Sequence, residues 1–175
     1  LVEELTRTNE SLQEKIQQNK KQLDETRKLI KDLQIINNFS KVIQESKTIE
    51  DITWSIAREA VAQLGFGDCV IYLFDSNREF LLQTASLGLK NKNGKEISNP
   101  LKIKYGEGIV GYVAKSGIGE IVNDTSKDNR YIIDDDCRFS EITVPIIYEG
   151  KVIGIIDSEH PEKNFFTQTH FELLQ

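Results

Sequence analysis

The side chains best suited to chemistry gather in the last third of the chain. Alternation along an extended strand puts Glu141, Thr143 and Pro145 on one face of an apolar run, and Asp157 and Glu159 on one face of the next. Where those faces coincide, Glu141, Asp157 and Glu159 converge, and carboxylates that close raise one another's pKa unless a cation keeps them ionised. An amine-bearing ligand would supply that cation. Structural pairing with Arg130 and Arg138 would do so as well, and Glu159 at a strand end would also be satisfied simply by solvent. The sequence leaves these alternatives open.

Upstream, Lys104 to Gly119 reads KYGEGIVGYVAKSGIG, with Gly106, Gly108 and Gly111 at the spacing G-x-G-x-x-G. A dinucleotide fingerprint needs a buried parallel strand before it, a long crossover helix after it and an acidic residue about 20 positions on. Here the apolar pattern lasts two turns and gives way at Ser116-Gly117 to strand-like sequence at Glu120 to Val122. The stretch therefore reads as a loop and short helix over a sheet. Tyr105, Ile109 and Val113 would line the space beneath it, with Asn123, Arg130, Tyr131, Arg138, Glu141, Thr143, Asp157 and Glu159 completing the candidate site.

Other chemistries find no pattern. Cys69 and Cys137 lie far apart, and His160 and His170 have no cysteine at metal-ligand spacing, so neither a metal nor a cofactor is expected. No serine sits in a nucleophile elbow, and Asp134-Asp135-Asp136 lacks the spaced ligands and closing glutamate of a calcium loop. A net charge of -6 over 175 residues argues against nucleic acid or an anionic membrane as partner. No run is long enough to span a membrane, and two isolated cysteines suit a reducing, cytoplasmic setting.

The elements that must hold these residues follow from periodicity. Residues 1–47 read as a helix without proline or glycine. Val2, Asn9, Ile16, Leu23, Ile30 and Asn37 fall at heptad position a, and Leu5, Leu12, Asn19, Thr26, Leu33 and Ser40 at d. That arrangement predicts a parallel dimeric coiled coil roughly 60 Å long, with Val2, Leu5, Asn9, Leu12, Ile16, Leu23, Ile30 and Leu33 in the interface. Asn19 and Thr26 weaken its d layers, and Lys15 would face the partner's Lys20. A signal-transmitting helix and a plain dimerisation stalk share this pattern.

Residues 48–175 read as one domain. Thr48-Ile49-Glu50-Asp51 caps a helix whose core face is Ile49, Ile52, Ile56, Ala60, Val61 and Leu64, with Gly65 as its stop. Cys69 to Phe74 and Phe80 to Leu87 form an antiparallel hairpin, and Lys90 to Pro100 is a polar loop. Glu141 to Tyr148 and Lys151 to Glu159 form a second hairpin through Glu149-Gly150, apolar enough to be covered on both faces. Thr167 caps a last helix, with Phe166 stapled to Phe171. The chain opens in mid-heptad and stops soon after a helix starts, as a piece of a longer protein would.

From about Ile49 to Gln175 the phrases YGEGIVGYVAKSG, EIVND, RY, SEITVPIIYEGKVIGIIDSEH and NFFT..HFELLQ resemble, in their order, a GAF domain. The resemblance implies an α/β (α+β), PAS-like architecture. An antiparallel sheet has the terminal helices on one face and a loop-and-helix layer on the other, above a small-ligand site in many members. GAF domains preceded by a coil are similar to sensory modules of bacterial histidine kinases, cyclases, phosphatases and transcription regulators. The cysteine-histidine pair and the aspartate-isoleucine-proline motif of bilin-binding members are missing, and the cyclic-nucleotide signature finds no match. Ser140-Glu141-Ile142 and Asp157-Ser158-Glu159 resemble free methionine sulfoxide reductases, but Val110 and Asp134 stand where those enzymes carry cysteines, and Cys137 is out of register.

The resulting expectation is a cytoplasmic homodimeric sensory module of a signal-transduction protein, a histidine kinase by choice, binding a small amine-bearing or nucleotide ligand and itself not an enzyme. The alternatives are a ligand-free dimerisation module and a thiol reductase using Cys137.

Overall fold

The computed structural model describes residues 1–88, 97, 100–133 and 136–175. Most of the loop expected over Lys90 to Pro100, and Asp134-Asp135 of the acidic run, lie outside the described residues. The chain forms two compact units, Leu1–Asn37 and Asn38–Gln175.

The first unit belongs to a single helix, α1 (Val2–Glu45). Its heptad stripe lies open in the single chain, with Leu12 52% and Ile16 65% exposed. Thr26 satisfies its hydroxyl on its own helix, donating to the Gln22 carbonyl at 2.8 Å. Among the described residues no helix is long and apolar enough to cross a membrane.

The second unit is an antiparallel sheet of six strands with helices on both faces. Helix α2 (Ile49–Leu64) precedes β1 (Asp68–Phe74) and β2 (Phe80–Gly88). Then come β3 (Lys102–Lys104), α3 (Gly108–Ser116) and β4 (Glu120–Val122), and finally β5 (Ser140–Tyr148), β6 (Lys151–His160) and α4 (Gln168–Leu174). The strand order is β3-β2-β1-β6-β5-β4, so the two long hairpins meet at the centre through β1 and β6. Glu149 (φ 48°) and Gly150 (φ 73°) both take the left-handed conformation, the turn that suits the twist of a two-residue hairpin loop.

Side-chain alternation divides the core into two layers. Val70, Tyr72, Leu81 and Ile155 point to the side of the sheet where α3 lays Val110, Val113 and Ala114. The alternate residues Ile71 and Ile156, paired across β1 and β6, are buried on the other side, where α2 covers β1 and β2. Thr48 caps α2 by accepting the Asp51 N–H, and Gly65 ends it in the left-handed conformation. The buried face of α2 keeps the expected Ala60 and Leu64 but adds Thr53, Trp54 and Ala57, whereas Ile49 is 68% exposed. Small Ala57 and Ala60 let the helix approach the sheet closely, and this contact outweighs the larger apolar stripe beside it.

Thr167 caps α4 as expected, accepting the His170 N–H, but the expected staple is replaced. Phe166 packs edge-on against Phe66, just beyond α2, at 5.2 Å, while the Phe171 ring closes on Gly119. A buried aromatic partner from another element takes the ring that a local staple would have used.

The three spaced glycines serve backbone geometry. Gly106 (φ 84°) and Gly108 (φ 69°) occupy left-handed positions, and the Gly106 N–H donates to the Gly111 carbonyl at 3.0 Å. A Cβ at Gly111 would stand 2.6 Å from the Lys104 carbonyl oxygen. Replacing Gly111 with Ala must therefore move backbone, and we expect a loss of about 3 kcal/mol in urea unfolding, against less than about 1 kcal/mol for exposed Gln168→Ala.

Candidate ligand-binding site

The site is built on the register of β5 and β6. Thr143 lies opposite Asp157, and Glu141 opposite Glu159, so the alternating faces coincide. All four side chains are buried, which removes the solvent-exposed strand-end alternative for Glu159. The Thr143 Oγ1 lies 3.0 Å from Glu141 Oε1 and 2.8 Å from Asp157 Oδ1. A hydroxyl carries one proton, so both contacts are hydrogen bonds only when a carboxyl supplies the second. Burial first, then the charges of Asp157 and Glu159 and its hydrogen bond with Asp157, push the Glu141 pKa well above the ordinary carboxyl value, with the Thr143 contact opposing them in part, so this carboxyl is the one disposed to hold the second proton.

Above this acidic floor is a cavity with about 200 Å³ of water-accessible space. The first turn of α3 supplies Gly108, Ile109 and Val110, β3 supplies Ile103, and Tyr72 and Leu101 form side walls. Glu107 and Lys102 border it, and Ile132 closes in from the segment after β4. The result is an apolar enclosure with carboxyl groups along one side, suited to a small molecule bearing a positive charge.

Of the residues expected in the site, Ile109, Glu141, Asp157 and Glu159 line the cavity, and Thr143 ties the floor together. The others do not line the cavity. Val113 is packed in the core layer of α3, and Tyr105 is partly exposed against the Phe74 ring at 5.8 Å. The Asn123 carbonyl accepts the Asn164 N–H, and the Tyr131 hydroxyl accepts the Arg138 N–H at 3.1 Å. Arg138 is buried with Nη1 3.6 Å from Asp136 Oδ2. Arg130 is committed to Glu120 and Asp128, at 2.7 Å each, so its expected pairing with the acidic floor is corrected: two nearer carboxylates, one two residues away in sequence, hold its guanidinium.

Tyr72, Leu101, Ile103, Val110 and Ile132 line the cavity without having been singled out from sequence. Tyr72 was legible in principle, since alternation within β1 sets it opposite the residues under α2. Neither cysteine reaches the cavity lining. Cys137 is exposed, and Cys69 is buried in β1, where desolvation and then Asp68 and Asp157 push its thiol pKa up and leave it unreactive.

Residues 46–175 match the family described as GAF domain. The chain belongs to the GAF family. YtsP of Bacillus subtilis (strain 168) is 29% identical to this GAF chain over 86 residues, 45% of the chain and 53% of YtsP, so the match spans about half that relative's length. The GAF domain of a phosphoenolpyruvate-protein phosphotransferase from Acinetobacter superposes with a TM-score of 0.72 at 22% identity, over 81% of this chain and 84% of the other. The free methionine-R-sulfoxide reductase of Neisseria meningitidis, in complex with its substrate, gives 0.71 at 20% identity, over 82% and 81%. At these identities the structures are alike in fold alone.

The raised pKa of Glu141 in this GAF domain has a consequence for stability. Its folded pKa is raised, so its contribution is fully present below the unfolded value near 4.5 and is lost as pH rises toward the folded value. The variant Glu141→Gln keeps the shape without the proton. Urea unfolding between pH 4 and 8 is expected to favour the variant increasingly above pH 4.5, with a limiting slope of about 1.4 kcal/mol per pH unit. Parallel curves would contradict a buried, protonated Glu141.

Proposed function

We propose that this GAF domain is the regulatory sensory module of a signalling protein and takes a small amine-bearing molecule into the cavity between α3 and the sheet. The observation that carries this reading is the floor of Glu141, Asp157 and Glu159 beneath largely apolar walls, with Lys102 and Glu107 at the border. A cation there would let Glu141 release its proton and would offset the mutual repulsion of the carboxylates. The size of the cavity favours a molecule of amino-acid dimensions over a nucleotide, since sites for larger ligands usually offer about 300 Å³ or more. The reductase of Neisseria meningitidis, whose substrate is a free amino-acid derivative by its name, supports the same ligand class.

The signal passes to an attached output, for which a histidine kinase is our choice, in a cytoplasmic setting where both cysteines remain thiols. Two chains pair through a parallel coiled coil of α1, a reading supported by the open stripe of Leu5, Leu12, Ile16, Leu23 and Leu33. The exposed position of Cys137, outside the cavity lining, favours regulation over thiol catalysis, and the open cavity favours ligand binding over a collapsed module.

Calorimetry against amino acids and polyamines tests the ligand. We expect one class to bind with proton release, seen as a dependence of the heat on the buffer's ionisation enthalpy, and Asp157→Asn to weaken it at least about tenfold, equivalent to roughly 1.4 kcal/mol. The absence of binding anywhere in the panel at millimolar concentration would end this reading. Sedimentation equilibrium tests the pairing separately: a mass of two chains is expected, reduced to one by Ile16→Lys.

A further inference from the structure

The segment that brings Ile132 to the cavity is fastened with more ionic contacts than a surface turn requires. Residues 128–131 close on themselves: the Tyr131 N–H donates to the Asp128 carbonyl at 3.1 Å, and the Arg130 N–H donates to Asp128 Oδ1 at 2.9 Å. The Arg130 guanidinium then reaches outward. It donates to both oxygens of Glu120 on β4, at 2.7 and 3.0 Å, and to both oxygens of Asp128, at 3.0 and 2.7 Å. Its plane lies 4.6 Å from the centre of the Tyr112 ring on α3. A planar fork is the group that engages carboxylates bidentately in this way, and a lysine would lose the second contact to each.

Two residues on, Ile132 lines the cavity and is 46% exposed, so it stands at the boundary between the interior and solvent. It sits directly on the first residue of α3. A Cβ added to Gly108 would be 2.7 Å from Ile132 Cδ1 and 3.7 Å from the Arg130 carbonyl oxygen. The absence of a side chain at Gly108 is what lets the segment lie against the α3 N-terminus.

We propose that Arg130 is a positioning residue that fastens residues 128–132 as a strap across the mouth of the cavity, so that a small molecule reaches the acidic floor only when the strap is released. The strap rests on the reading of this cavity as the ligand site. Its fastening is ionic and its side chain 28% exposed, so it opens by separating charges that water and salt can reach. Arg130 was a candidate for touching ligand directly; its donors are turned to β4 and to its own turn, so its effect reaches the ligand through Ile132.

Thiol accessibility tests this without the natural ligand. In a Cys137→Ser background, Ile109→Cys places a thiol on the cavity wall, while buried Cys69 reports an intact fold. The probes are methyl methanethiosulfonate and its trimethylammonium-ethyl analogue. We expect Arg130→Gln to speed modification at the Ile109→Cys thiol at least about tenfold, Arg130→Lys to have a smaller effect, and raised salt to speed the parent protein alone. Glu120→Gln removes the same fastening while keeping the side-chain shape, and is the deciding variant where Arg130→Gln exposes Cys69. Combined with Arg130→Gln it should add nothing further. Equal rates in parent and variant, with Cys69 protected, would overturn the strap. The cationic probe reacting no faster than the neutral one would instead count against the amine reading and leave the strap standing.

Discussion

The register of the β5–β6 hairpin is the constraint on which the site depends. Because Thr143 faces Asp157 and Glu141 faces Glu159, carboxyl groups on adjacent strands are forced onto one buried face. A slip by one residue would turn them to the α2 side and bring Ile142, Val144 and Ile156 into their place. The two-residue turn alone would set Thr143 against Ile156. A bulge at Ile153, between the Ile147–Val152 and Ile146–Gly154 pairs, shifts the register by one residue and brings Thr143 onto Asp157. The junction of β6 with β1, where Tyr72 pairs with Ile155, adds a second hold on β6. Two apolar layers therefore hold a set of carboxyl groups together on one face of the sheet.

The layer above the sheet has a complementary role. Gly106, Gly108 and Gly111 allow the chain to leave β3, turn and start α3 within backbone contact of itself. This places the first turn of α3 above the carboxyl groups while Val110, Val113 and Ala114 anchor the helix on Tyr72, Leu81 and Ile155. One end of the helix is core and the other borders a void. Space for a small molecule thus coexists with dense packing in the same layer.

Much of the fold was legible because hairpins and caps are local. The strands on either side of Glu149-Gly150, the Thr48 and Thr167 caps and the Gly65 stop all follow from residues within a few positions of one another. The buried face of α2 was legible at Ala60 and Leu64 and missed at Thr53, Trp54 and Ala57, because the isoleucine stripe beside them dominates the apolar pattern while the small volume of alanine decides how closely helix and sheet approach. In the site, strand period put Glu141 with Thr143 and Asp157 with Glu159, but the meeting of those two faces depends on the bulge at Ile153, which no period encodes. Arg130, Asn123 and Tyr131 were put there by proximity to motifs, and their actual partners, Glu120, Asn164 and the Arg138 backbone, depend on how an irregular segment crosses the domain. No periodicity encodes that path, which is also why Ile132 escaped notice.

The ring contacts behind the sheet bear on how motion would travel. Phe66, two residues past the end of α2, meets Phe166 and His170 edge-on at 5.2 and 5.3 Å, and Phe166 precedes the first turn of α4. Flat rings locked at right angles resist sliding and twisting, so these helix ends are joined like the arms of a rigid bracket. Torque applied to one arm would emerge from the other with little lost in the joint.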